Sequence, residues 1–185
     1  MKIIKLSQQD DTDAWKDFRK GKVSGSKAKF VKPLIEALEL LGQRLKLEVE
    51  TDPGVWVSSD NENIMVSPDA SEKSKTPKWA AEVKCLATKN HLKYVCKDLW
   101  ARVENYNPID STGEFREQIV QYSVVNEKLE RLYFVLYDDR VSIDKYMFHI
   151  IEIHRKDIEG EVAEQKAIQI TVLADVDKLI KEMLK

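Results

Sequence analysis

Apolar positions along this chain change their period several times, and each change predicts an element. After a Ser-Gly-Ser turn at 24–26, Phe30, Leu34, Leu38, Leu41 and Leu45 recur every three or four residues, one stripe of a helix. Pro33 fits a first-turn position of its main part, where a missing N–H is harmless. A shorter helix is expected before it over 12–20, with Thr12 or Asp13 as N-cap and Gly21 as its end. Strands are then expected at 46–50, 55–58 and 63–67, with Asp-Asn-Glu-Asn at 60–63 turning the chain between the last two. Residues 70–78 are polar and lysine-rich, an expected exposed hairpin loop, and 79–86 reads as a strand. Leu92, Val95, Cys96, Leu99, Trp100 and Val103 predict a helix over 89–103. A loop at 105–113, a helix at 114–128, strands at 131–137 and 146–153, and a closing helix at 173–184 complete the series. Helices alternating with a central group of strands predict an α/β or α+β layered domain, one unit over 1–185.

Composition narrows the class without naming a function. The 185 residues are 43% hydrophobic and 34% charged, enough for a sizeable core in a soluble globular protein. No apolar run reaches membrane-spanning length, and Met-Lys-Ile-Ile-Lys-Leu lacks the cleavage site of a signal peptide. Cys85 and Cys96 are too few for a Cys-ligated iron–sulfur cluster and fit reduced thiols in a cytoplasm. A net charge of −2 carries no global nucleic-acid signature. Locally, Lys16, Arg19, Lys20, Lys22, Lys27, Lys29 and Lys32 face a single acid, Asp17, between Trp15 and Lys32. Such a patch suits a phosphate backbone as well as it suits water.

The candidate chemistry sits at 66–84. Asp69 follows one apolar run, and Glu82 and Lys84 interrupt the otherwise buried strand Trp-Ala-Ala-Glu-Val-Lys-Cys-Leu. Positions i and i+2 of a strand share a face, so Glu82 and Lys84 project side by side, with Asp69 meeting them from the end of a neighbouring strand. Charges at such positions are costly unless they pair or bind a metal. Two carboxylates can hold a hard divalent cation, and an adjacent lysine can position a water as the ammonium or deprotonate one as the neutral amine, for phosphodiester hydrolysis. The histidines His91, His149 and His154 show no metal-ligand spacing and read as structural or surface residues. Trp56, Trp79 and Trp100 read as core, and Tyr137-Asp138-Asp139-Arg140 as a strand end and turn.

Three separated blocks carry a resemblance. They are Trp15-x-x-x-Arg19-x-Gly21-x-Val23-Ser24-x-Ser26, then Ser67-Pro68-Asp69 with Glu82-Val83-Lys84-Cys85, then Phe115-x-x-Gln118-x-x-Gln121-Tyr122 leading to Tyr137-Asp138-Asp139-Arg140. In this order the chain resembles the lambda exonuclease and YqaJ-type viral recombinase branch of the PD-(D/E)XK nuclease superfamily. The resemblance implies a restriction-endonuclease-like core, a central mixed β-sheet flanked by helices. It implies that Asp69, Glu82 and the Val83 carbonyl bind Mg²⁺ (or Mn²⁺ in its place), with Lys84 activating the attacking water. Arg19 and Ser26 match positions that engage the 5′-phosphate, Ser67 one beside the scissile phosphate, and Gln118 a helical glutamine near the site. The residues alone leave open whether Gln118 or Gln121 reaches in. The implied activity is 5′-to-3′ exonuclease digestion of linear double-stranded DNA ends, in a homotrimer working with a single-strand annealing protein. Alternatives are a PD-(D/E)XK endonuclease or repair nuclease of other polarity, and a non-catalytic DNA-end-binding module. Two departures stand out: Ala70 replaces the usual glycine after Ser-Pro-Asp, and Lys46 stands where the family's Gly-x-x-x-Glu places a helical acid after Gly42. Glu36, Glu39 and Glu48 are candidate substitutes for that acid.

Overall fold

The computed structural model describes residues 1–4, 26–103 and 107–184, with only the backbone described for 2–4 and 26–30. Its centre is a five-stranded mixed sheet in the order β2-β5-β6-β7-β8, formed by Val49–Glu50 (β2), Ala70–Glu72 (β5), Trp79–Lys84 (β6), Arg131–Tyr137 (β7) and Phe148–His154 (β8). β6 and β7 are parallel, and the other pairs in this sheet are antiparallel. A smaller antiparallel sheet joins Lys2–Ile4 (β1), Val55–Val57 (β3) and Met65–Val66 (β4). The main helices are Ser26–Leu45 (α1), Thr88–Ala101 (α2), Arg116–Val125 (α3) and Glu159–Met183 (α5), with one short turn, Asp144–Met147 (α4).

β7 explains the layering. Its sequence Arg-Leu-Tyr-Phe-Val-Leu-Tyr is apolar at nearly every position, as a strand buried on both faces requires. On one face Tyr133, Val135 and Tyr137 pack with Ala81 and Val83 of β6 under Leu38 and Leu41 of α1. On the other, Leu132, Phe134 and Leu136 pack with Tyr94 and Val95 of α2 and with Ile119 and Tyr122 of α3. A sheet covered by helices is the layered architecture that the pattern of elements predicts, and its mixed strand directions are those the resemblance implies.

Several boundaries differ from expectation for identifiable reasons. Ala70–Glu72 is a strand, not part of an exposed loop, and Ala70 and Ser71 are buried against β6. Its small and polar residues give no strand signal; pairing to β6 on one side and β2 on the other makes it one. The remaining hairpin, 73–78, lies at the far end of β6 from Lys84, about 17 Å along the strand. Pro33 lies inside α1 rather than in its first turn, because the helix begins at Ser26. α1 ends where Lys46 takes a positive φ of 54° and Leu47 N–H bonds to Gly42 O at 3.2 Å, a left-handed C-terminal cap. The strand expected at 46–50 therefore shortens to Val49–Glu50.

α5 starts at Glu159, well before the expected 173. Its first turns lack an apolar stripe and are held by polar contacts to α3 and the segment after it: Arg116 to Glu161 at 2.8 Å, Gln165 to Gln121 at 2.5 Å, and Lys166 to Glu127 at 2.6 Å. Its second half exposes Ile170, Val172, Val176, Leu179, Ile180 and Met183. Trp56 and Trp79 are core residues, as expected, but Trp100 is 75% exposed on the outer side of α2 and is corrected to a surface residue. Periodicity placed it on the apolar stripe, while the buried face of α2 is His91, Tyr94, Val95 and Asp98. The expected helix at 12–20 lies outside the described residues. No helix among the described residues is long and apolar enough to cross a membrane.

Candidate active site

The C-terminal end of β6 carries the candidate chemistry. Glu82 and Lys84 leave the strand on the α3 side, and the Lys84 ammonium lies 2.6 Å from Glu82 Oε1. Gln118, in the first turn of α3, completes a triangle: its Nε2 donates to the same Oε1 at 2.8 Å, and its Oε1 accepts from Lys84 at 3.0 Å. The other carboxylate oxygen, Oε2, accepts the Tyr122 hydroxyl, which also lies 3.2 Å from Ser67 O. Glu82 is thus only 5% exposed yet hydrogen-bonded through both oxygens, the condition under which a buried charge is tolerated. Gln118 and Tyr122 are four apart on α3 and so share the face that looks at Glu82. The same ammonium lies 4.7 Å from the centroid of Phe115, a cation–π contact on a ring packed against Tyr94 and Phe134.

Asp69 enters from the segment before β5. Its N–H donates to Ala81 O at 3.1 Å, and its Oδ2 accepts from Val83 N–H at 2.8 Å, so β6 fixes it by main-chain bonds at both ends. Burial, and then the Glu82 carboxylate, push Asp69 up to about 7, against the downward pull of the Val83 N–H and the Lys84 ammonium. Burial and the same Glu82 carboxylate hold the Tyr122 phenol far above its ordinary range, so it remains a hydrogen-bond donor.

Two carboxylates forced together under partial burial carry a cost that a divalent cation would remove. Asp69, Glu82 and the Val83 carbonyl offer oxygen donors alone, which fits a hard ion such as Mg²⁺. Among the described residues no group of three or more His, Cys, Asp or Glu side chains gathers as a metal cluster. The candidate substitutes for a third acid diverge. Glu36, on α1, accepts from the Tyr137 hydroxyl at 2.9 Å and adds its field to the Cys85 thiol, directly after Lys84. Glu48 pairs with Lys73 of the distal hairpin at 2.9 Å, and Glu39 lies exposed on α1. Lys46 is off the end of α1, in the left-handed cap.

The remaining sequence candidates separate in space. Gln121 turns away from Glu82 and accepts from Gln165 and Gln169 of α5, whereas Gln118 reaches in. Ser67 is exposed beside Tyr122, with its carbonyl toward the phenol. Arg19 lies outside the described residues, and Ser26 opens α1 with its side chain outside them as well. Tyr122 stands in the third block of the resemblance, but the sequence assigns it no role at the site. Its position four after Gln118 was the available signal, masked by an apolar surrounding that reads as core. The histidines have structural partners: His91 with Tyr146 O at 2.6 Å, His149 with Asp98 at 2.8 Å and His154 with Glu152 at 3.5 Å. Cys85 and Cys96 are free thiols.

The site thus sits on a mixed sheet between helical layers, where an acid–x–lysine strand end faces a helical glutamine. Among solved structures, the chain is similar to an alkaline exonuclease, LHK-Exo, from Laribacter hongkongensis. The TM-score is 0.59 at 16% identity, over 96% of this chain and 85% of that one. The structure of LHK-Exo in complex with dAMP is similar at a TM-score of 0.58 and 17% identity, over 86% of this chain and 75% of that one. At these identities the likeness is one of fold. No known family profile and no curated protein matches the chain.

Proposed function

We propose that this chain is a Mg²⁺-dependent exonuclease that digests one strand of linear double-stranded DNA from its 5′ end, releases 5′-mononucleotides and leaves a 3′ overhang. The observation that carries the reading is the joining of Asp69, Glu82 and Lys84 at one strand end, tied by Gln118 and Tyr122. The fold likeness to an enzyme described as an alkaline exonuclease supports it. A cation held by Asp69, Glu82 and the Val83 carbonyl would supply charge stabilisation on the phosphate and acidify water. The chain's own residues do the rest. Lys84 orients the attacking water, Gln118 and Phe115 hold that ammonium in place, and Tyr122 fixes the Glu82 carboxylate. Glu36 is the α1 carboxylate offered as the third acid. Arg19, Ser26 and Ser67 are assigned to the DNA strand, and Gln121 to a supporting position through α5. A homotrimer, a single-strand annealing protein as partner, a role in phage-type recombination and a cytoplasmic setting complete the reading.

One observation favours a second reading, a DNA-end-binding module that does not cleave: Lys46 occupies the helical-acid position and sits in the α1 cap. Linear duplex DNA labelled at one 5′ or one 3′ end, incubated with Mg²⁺ and either the native protein or Asp69→Asn, separates them. Loss of mononucleotides from the 5′ label first, abolished by the substitution, supports the exonuclease and its polarity. Oligonucleotide products point to an endonuclease. DNA-end binding without any Mg²⁺-dependent cleavage refutes the catalytic reading.

A further inference from the structure

β8 is an outer strand of the main sheet, and its free edge is covered by arginines from the two opposite helical layers. Arg44, in the last turn of α1, donates to Phe148 O at 3.3 Å and lies 5.8 Å from the centroid of that residue's ring. Arg102, just past α2, donates to Ile150 O at 3.1 Å. Phe148 and Ile150 are two residues apart on one strand, so the main-chain anchors of the two guanidiniums are about 7 Å apart. Arginines over a free edge also block pairing with another chain. Edge protection, however, accounts neither for the cleft beside them nor for the Lys145 ammonium that lines it.

That cleft has a volume of about 640 Å³ and is lined by Arg44, Arg102, Lys145, His149, His154 and Tyr133, among others. The size lies in the usual range for small-ligand sites. Its acids are already engaged. Asp98, 1% exposed, accepts from Arg102 at 2.7 Å and from His149 at 2.8 Å, and Glu152 lies 3.5 Å from His154 and 3.6 Å from Arg131. Arg44 has no acidic partner among the described residues, and Lys145 stands over the Tyr146 ring, 4.7 Å from its centroid, also without one. Each arginine has further N–H groups beyond its carbonyl bond, in the planar fork that matches phosphate oxygens. The result is a concave surface with anchored guanidiniums and a surplus of positive charge.

We propose that this cleft is a phosphate-binding site, distinct from the Asp69–Glu82–Lys84 centre. Ile150 pairs with Val135, which pairs with Val83, so the cleft lies two strands, about 10 Å, across the sheet from β6. Its ligand is a phosphate group, carried either by a free nucleotide or by a DNA strand. The proposal rests on the cleft and not on the nuclease reading.

The test uses the full chain in EDTA, so that no metal holds phosphate at the other centre. Inorganic phosphate and a 5′-mononucleotide are titrated by calorimetry, and a short blunt duplex by fluorescence anisotropy. The variants are Arg44→Gln and Lys145→Gln, because Arg102→Gln would leave buried Asp98 short of a partner and risk unfolding. Saturable binding weakened at least about tenfold by either substitution, with an unchanged melting temperature, supports the site. Tighter binding of phosphate or mononucleotide than of duplex identifies a free ligand, and the reverse order identifies a strand. No saturable binding of any probe, or equal affinity in wild type and both variants, overturns it.

Discussion

Replacing Tyr122 by Phe removes one oxygen from a site where everything else about the ring is retained. The Tyr122 ring stands edge-on to Trp56, 6.5 Å between centroids at 85°, and Tyr122 is 1% exposed, so Phe keeps the packing. What disappears is the donor to Glu82 Oε2, on a carboxylate only 5% exposed. Hydrogen bonds to charged groups are worth about 1.5–3 kcal/mol, and an acceptor left buried without a donor loses a similar amount. A loss of about 2 kcal/mol is therefore expected, a fall of roughly 4–8 °C in melting temperature for a chain of this size. The measurement is urea and thermal unfolding in EDTA, run as a double-mutant cycle with Glu82→Gln. The cycle is expected to show a coupling of about 1 kcal/mol or more, because the two side chains share one bond. In Mg²⁺, cleavage of labelled duplex should fall by at least about tenfold, the equivalent of 1.4 kcal/mol in the barrier. Unchanged melting and strictly additive substitutions would refute the claim that Tyr122 holds Glu82.

Asp69→Asn should abolish cleavage yet stabilise the metal-free protein at pH 8. The folded-state value of about 7 lies above the ordinary 3.8, so the fold disfavours the charged form; the penalty is full above pH 7 and gone below pH 4. On the order of 2 kcal/mol is expected at pH 8 once partial exposure is allowed for, read by urea unfolding at pH 8 and pH 4; equal stability of both proteins at both pH values would contradict it. Gln118→Ala should lower the cleavage rate at least about tenfold, because it frees both Lys84 and Glu82, while Gln121→Ala should act mainly on stability through α5. Matched cleavage and melting assays on the pair decide this, and equal rate losses would count against the assignment. Trp100→Ser should change stability by no more than about 0.5 kcal/mol in chemical denaturation, whereas Trp56→Ala should cost about 3–5 kcal/mol.

The hydrophobic pattern by itself determined the layered class, the buried central strand at 131–137 and the helices carrying Leu38 and Tyr94, because period and run length are local properties of the chain. It also singled out Glu82 and Lys84, since charges inside a buried strand need a physical reason wherever that strand lies, with Asp69 placed just after an apolar run. Tertiary structure decided what local pattern does not contain. Ala70–Glu72 is a strand because β6 and β2 offer it partners on either side. The start of α5 depends on partners in α3 and the segment after it rather than on an apolar stripe. The choice of Gln118 over Gln121, the role of Tyr122 and the outward position of Trp100 all follow from how α2 and α3 are rotated against the sheet. Rotation of a helix about its axis is set by the surface it packs on, and that surface is assembled from residues distant in sequence.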